Sequence, residues 1–179
     1  MKYLFILLIV SAILKADSLQ YFEVGTQTTA NPVTDHEATM FTLSDFNPDY
    51  ISMQVCSVQV LIETSSSPYV NLIMVFDGPD EPNPWGTPLA GAAYWISPGG
   101  TKTVEINCEV SDTFWVVHRI NNADSQGIGY TESQNGHSYC YYSSAWYEQS
   151  FDYHITVIGD VTTNLERHSW GSIKTSFSF

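Results

Sequence analysis

The sequence predicts an all-β protein, a two-sheet antiparallel sandwich of jelly-roll-like type. Apolar residues recur at period two through most of residues 17–160, the repeat of a strand with one buried face. Gly, Pro, Asn, Asp and Ser cluster between these runs, and no helix-period segment of useful length precedes residue 160. The chain of 179 residues is 44% hydrophobic and 14% aromatic, with only 14% charged residues. That composition supports a packed core and excludes a disordered or coiled-coil chain. The length excludes a large multidomain enzyme.

The N-terminus has the pattern of a secretory leader over residues 1–16. Lys2 supplies positive charge, Leu4 to Leu14 is apolar except for Ser11, and Ala16 precedes Asp17. The apolar stretch of about eleven residues is shorter than the ~20 that a spanning helix needs. A secreted or cell-surface location is therefore expected, with no membrane span after cleavage. The charge is strongly acidic: 19 Asp and Glu against 6 Lys and Arg, a net of -13. Cleavage would remove Lys2 and Lys15 and no acid, leaving 4 basic residues against 19 acidic ones and a net of -15. Such a chain lacks the basic clusters that bind nucleic acid.

Strands are expected near Leu19 to Val24, Ala38 to Leu43, Ile51 to Glu63, Tyr69 to Phe76, Ala92 to Ile96, Thr101 to Val110, Thr113 to Ile120, Ile128 to Glu132, His137 to Tyr142 and Phe151 to Ile158. Within the third, apolar positions are odd up to Val55 and even from Val58, so a β-bulge near Cys56 and Ser57 would reset the facing. Val70 to Phe76 and Phe114 to Val117 are apolar on both faces, as central strands covered on each side would be. The domain is expected to span 17–160. In the tail, 161–179, Thr163 and Glu166 fit a capping box and Trp170, Ile173 and Phe177 fall on one helical face, whereas Gly171, Ile173 and Thr175 weaken a helix. A short amphipathic helix and an extra strand both fit.

Cys56 and Cys108 share parity with neighbouring core positions and are the disulfide candidates, either bridged or buried as small hydrophobes. No G-x-S-x-G nucleophile elbow occurs, and Glu105 and Glu109 lack the intervening Asp of a glucanase strand. His137 and Cys140 have ligand-like spacing but no second pair for a zinc site. His36, between Asp35 and Glu37, reads as a solvated loop histidine. Asp77, Asp80 and Glu81 place three hard oxygen donors in a proline-rich loop, the chemistry of a calcium site. No other cofactor is expected. Two aromatic groups remain, Trp85, Tyr94 and Trp95 in one segment and Tyr139, Tyr141, Tyr142, Trp146 and Tyr147 in another. Flat rings on a sandwich can stack on sugar C–H faces, which makes Trp85, Tyr94, Trp95, Tyr139, Tyr141 and Trp146 ligand-binding candidates. Trp115, between Phe114 and Val116, is assigned to the core.

From residue 41 to 158 the order of features resembles jelly-roll-like accessory modules of secreted and cell-surface bacterial multidomain proteins. The parts are the long strand Ile51 to Glu63, Leu72 to Asp77 with its Pro/Gly loop, and Gly86-Thr-Pro-Leu. They continue with Phe114-Trp-Val-Val, Gly127-Ile-Gly, Gly136-His-Ser-Tyr, Trp146 and Tyr153-His-Ile-Thr-Val. Trp170-Gly-Ser-Ile-Lys-Thr is similar to C-terminal endings of some exported bacterial proteins, which implies surface sorting. The expectation is a non-catalytic binding module for a polysaccharide or a surface protein. The alternative is a structural surface or matrix subunit assembling through edge strands or the tail.

Overall fold

The structure, a computed structural model, describes residues 16–22, 35–62, 69–121, 127–132 and 136–164. The body of the leader, and the tail from residue 165 on, for which a helix and an extra strand both fit, lie outside these residues. The described elements are β1 (Asp17–Leu19), β2 (His36–Thr42), α1 (Leu43–Phe46), β3 (Tyr50–Ile62), β4 (Val70–Asp77), β5 (Ala90–Trp95) and β6 (Gly100–Val110). They continue with β7 (Thr113–Arg119), β8 (Tyr130–Glu132), β9 (Ser138–Tyr142), β10 (Ala145–Glu148), β11 (Phe151–Tyr153) and β12 (Ile155–Thr163).

Two antiparallel sheets form a sandwich, as the alternating pattern predicts. One has the order β1-β12-β3-β6 and the other β10-β9-β2-β7-β4-β5, while β8 and β11 form a small ribbon. The chain crosses repeatedly between the sheets, so each hydrophobic face is completed by residues distant in sequence. The ribbon joins the end of β3 through the Ile62–Ile128 bridge and the Gly129 N–H to Leu61 carbonyl bond. No helix among the described residues is long and apolar enough to cross a membrane.

The inter-sheet core takes alternate residues from each strand: Met53, Val55, Val58, Val60 and Ile62 of β3, Ile73 and Val75 of β4, and Val104, Ile106, Cys108 and Val110 of β6. Phe41 and Phe114 stack within it, ring centroids 5.4 Å apart, and both are fully buried. Burying such a side chain contributes about 1.5–3 kcal/mol. A second cluster lies on the outer face of the six-stranded sheet: Ala38, Met74, Trp115, Val117 and Trp146, flanked by Met40, Phe76, Tyr139 and Tyr141. This explains why β4 and β7 are apolar on both faces. Trp115 is buried as expected, in this outer cluster.

The bulge in β3 is present, with a register shift between Val55 and Ser57 against β6. It also corrects the cysteine expectation. Parity counted back from Val58 does not pass through a bulge, so Cys56 continues the alternation of Val55 and points outward. Cys56 is exposed and Cys108 is buried, and both are free thiols, as is buried Cys140. β12 remains paired to Thr163, opposite Tyr50, three residues past the expected domain border at 160.

Candidate functional site

The loop from Gly78 to Leu89, between β4 and β5, lies across the outer cluster. Gly78 turns the chain away from β4 with φ +101°, a conformation that favours glycine. Pro82 and Pro84 are buried, and the Pro82 carbonyl accepts a 2.8 Å hydrogen bond from Trp146 Nε1. Two bonds then shape the next turn: Asn83 Oδ1 accepts from the Trp85 N–H at 3.1 Å and the Asn83 carbonyl accepts from the Gly86 N–H at 2.8 Å. This Asx-type turn presents the Trp85 ring, which is 57% exposed.

Beneath Trp85 runs a cross-strand row. Register places Tyr141 of β9 beside His36 of β2, His36 beside Arg119 of β7, Arg119 beside Leu72 of β4, and Leu72 beside Ala93 of β5. The Arg119 guanidinium lies 4.5 Å from the Trp85 ring centroid, within cation–π range. His36 meets Trp85 edge-on at 4.8 Å and Tyr141 edge-on at 5.8 Å. The two aromatic segments of the sequence thus meet through His36. Burial, reinforced by the Arg119 charge, lowers the His36 pKa to about 4, so the ring is neutral at neutral pH.

Trp95 lies two residues beyond Ala93 on the same face and is 62% exposed. Two strand spacings of about 4.8 Å separate the Arg119 and Ala93 backbones, so Trp85 and Trp95 mark one broad surface. Tyr139 and Tyr141 are half-buried beside the outer cluster. Tyr94 and Trp146 leave the candidate set because both are buried. Tyr94 turns between the sheets, opposite in parity to Trp95, and Trp146 lies beneath the loop. Tyr142 and Tyr147 are exposed and stack on each other across the β9–β10 hairpin, centroids 4.0 Å apart.

His36 is likewise corrected. It opens β2 and is fully buried, because the strand starts two residues earlier than its apolar run suggests. The following residue, Glu37, is buried on the inner face. Its Oε2 lies 2.9 Å from His118 Nδ1 and accepts from the Ile128 N–H at 2.8 Å. His118 Nε2 meets Asn71 Nδ2 at 3.0 Å and the Tyr94 hydroxyl at 2.9 Å. An amide nitrogen only donates, so these partners assign Nε2 as acceptor and Nδ1–H as donor to Glu37. Burial, with Glu37 second, pushes the Tyr94 hydroxyl pKa up. Both members of the pair are enclosed by the two sheets, and the network holds β2, β4, β5, β7 and the segment before β8 together. Sequence reasoning missed it because its members are separated along the chain, although a strand with acidic Glu37 at a core parity position was a signal.

The calcium candidates do not converge. Asp77 Oδ1 accepts from the Ser111 N–H at 2.7 Å and the Ser111 hydroxyl at 2.8 Å, tying the end of β4 to the β6–β7 turn. Asp80 and Glu81 are exposed in the loop, and no group of three or more His, Cys, Asp or Glu able to hold a metal occurs among the described residues. His137 stacks flat on Tyr21 at 3.8 Å, and Cys140 accepts a 2.9 Å contact from Gln149 Nε2.

Comparison with protein families, curated proteins and solved structures finds no match to the chain. The functional reading rests on the geometry and the sequence.

Proposed function

We propose that the protein is a secreted, non-catalytic carbohydrate-binding module whose binding surface is the outer face of the six-stranded sheet around Trp85. The observation that carries this reading is a large exposed ring held in a fixed orientation by its own turn, by Arg119 and by His36. An exposed aromatic without such support would lose its order in solution, whereas this ring is pre-organised to stack on a sugar face. Trp95 supplies a second platform, and Tyr141 borders the first. The leader-like N-terminus supports export.

A polysaccharide and glycan-array survey tests this. Retention of at least one glycan, weakened about tenfold or more by Trp85→Ala and less by Trp95→Ala, is the expected result. No retention of any glycan overturns the reading and leaves a protein partner as the ligand class.

One observation favours a second reading, assembly through a sheet edge. β5 closes the six-stranded sheet and reads Ala90-Gly-Ala-Ala-Tyr-Trp, with no charge or proline to discourage pairing. Light scattering distinguishes it, because concentration-dependent dimers abolished by Ala93→Lys would indicate edge pairing.

A further inference from the structure

We propose that the Trp85–Arg119 pair selects saccharides that carry a single carboxylate, such as a terminal uronic acid; this rests on the carbohydrate-binding reading. Lys102 and Arg119 are the only lysine and arginine among the described residues. Lys102 donates to the Pro98 carbonyl. The Arg119 guanidinium has no hydrogen bond and no ion pair with any described residue. Its contact is with the Trp85 ring, and it is half-buried in the cross-strand row.

A guanidinium has five N–H donors in a planar fork that matches a carboxylate. With no acceptor for that fork among the described residues, at the foot of an exposed indole, a hydrogen-bonding anion site lies directly beside a stacking surface. A sugar ring on Trp85 would bring a ring-borne carboxylate toward the fork. Lysine would offer the charge without the bidentate geometry. The neighbouring His36 ring is neutral at neutral pH, so Arg119 supplies the positive charge of the site, with the Asp35 carboxylate also near His36. The overall charge of -13 repels dense polyanions, which restricts the ligand to a sparse anion and disfavours a polyuronate.

Isothermal titration with two probes tests the proposal: an otherwise neutral oligosaccharide ending in glucuronic acid, and the same oligosaccharide ending in glucose. Wild-type protein is expected to bind the acidic probe about tenfold more tightly, the scale of a charge-assisted hydrogen bond. Arg119→Gln is expected to abolish the preference while retaining binding of the neutral probe. Arg119→Lys retains part of it, and Trp85→Ala weakens both probes. Circular dichroism checks that the variants are folded, and the wild-type comparison decides the question even if one is not. Equal wild-type affinities, or a preference that survives in folded Arg119→Gln, overturn the selectivity and leave the carbohydrate reading standing. Failure of wild-type protein to bind either probe, together with an empty glycan survey, overturns both.

Discussion

Glu37 Oε2 and His118 Nδ1 stand 2.9 Å apart in the interior of the sandwich, on neighbouring strands and enclosed on every side. The same carboxylate oxygen also accepts from the Ile128 N–H, so one side chain satisfies a histidine and a backbone amide together. Glu37→Ala leaves both donors without their acceptor. A buried donor left without its acceptor costs about 1–3 kcal/mol, and a fall of at least that order in urea-derived stability is expected. Glu37→Gln keeps an acceptor oxygen and is expected to lose less. Equal stability of Glu37→Ala and wild type would refute the role given to the pair.

Stability is expected to fall on the acid side of neutrality. The His36 pKa is about 4 in the folded protein, against roughly 6.5 when unfolded. Between these values the unfolded chain binds the proton and the folded one does not. The contribution is complete above about pH 6.5 and declines as pH falls toward 4, by up to about 3 kcal/mol. Burial also lowers the His154 pKa, adding loss of the same sign. Denaturation at a series of pH values, with His36→Phe flattening part of the profile, checks this.

The three thiols are expected to differ in reactivity. Cys56 is exposed, while burial, aided by Asp77 for Cys108 and by Glu37 for Cys140, raises the pKa of the other two. Thiolate is the reactive species. A thiol reagent should therefore label one cysteine rapidly in native protein and three after denaturation. Fewer than three in unreduced, denatured protein would indicate a bridge.

The β9–β10 hairpin turns at Ser143 and Ser144, whose φ values are 49° and 66°. Both lie in the left-handed region that type I′ turns require and that Asn-Gly adopts with less strain. Replacing the pair with Asn-Gly is expected to stabilise the protein by about 1 kcal/mol, the low end of the cost of non-glycine residues in this region, read as a raised thermal midpoint.

At Gly159 a Cβ would run into the Gln54 carbonyl, at the bulge where β12 shifts register against β3. Gly159→Ala is expected to destabilise by about 1–3 kcal/mol, the usual cost of overpacking. An unchanged melting temperature would count against this register.

The fold was legible because strand periodicity records which face is buried, and even the bulge in β3 left a visible change of parity. The same bulge defeated the assignment of Cys56, since alternation on one side says nothing about the other. β10 was missed because its turn is Ser-Ser, which carries none of the usual glycine or asparagine signal. The site was only partly legible. Trp85 and Trp95 were identifiable as exposed candidates from their segments, but Arg119 lies at the end of an apolar strand and meets Trp85 only through tertiary packing. Tyr94 and Trp95 differ in fate by a single step of the pleat.

The Gly78–Leu89 loop seals the outer apolar cluster through Pro82 while holding Trp85 above Arg119. The proposed ligand preference and thermal robustness therefore share one short stretch of chain. Redesigning that stretch for a new specificity would risk wetting Trp115 and Trp146, so changes confined to the rim, at Trp95 and Leu89, offer the safer route to altered recognition.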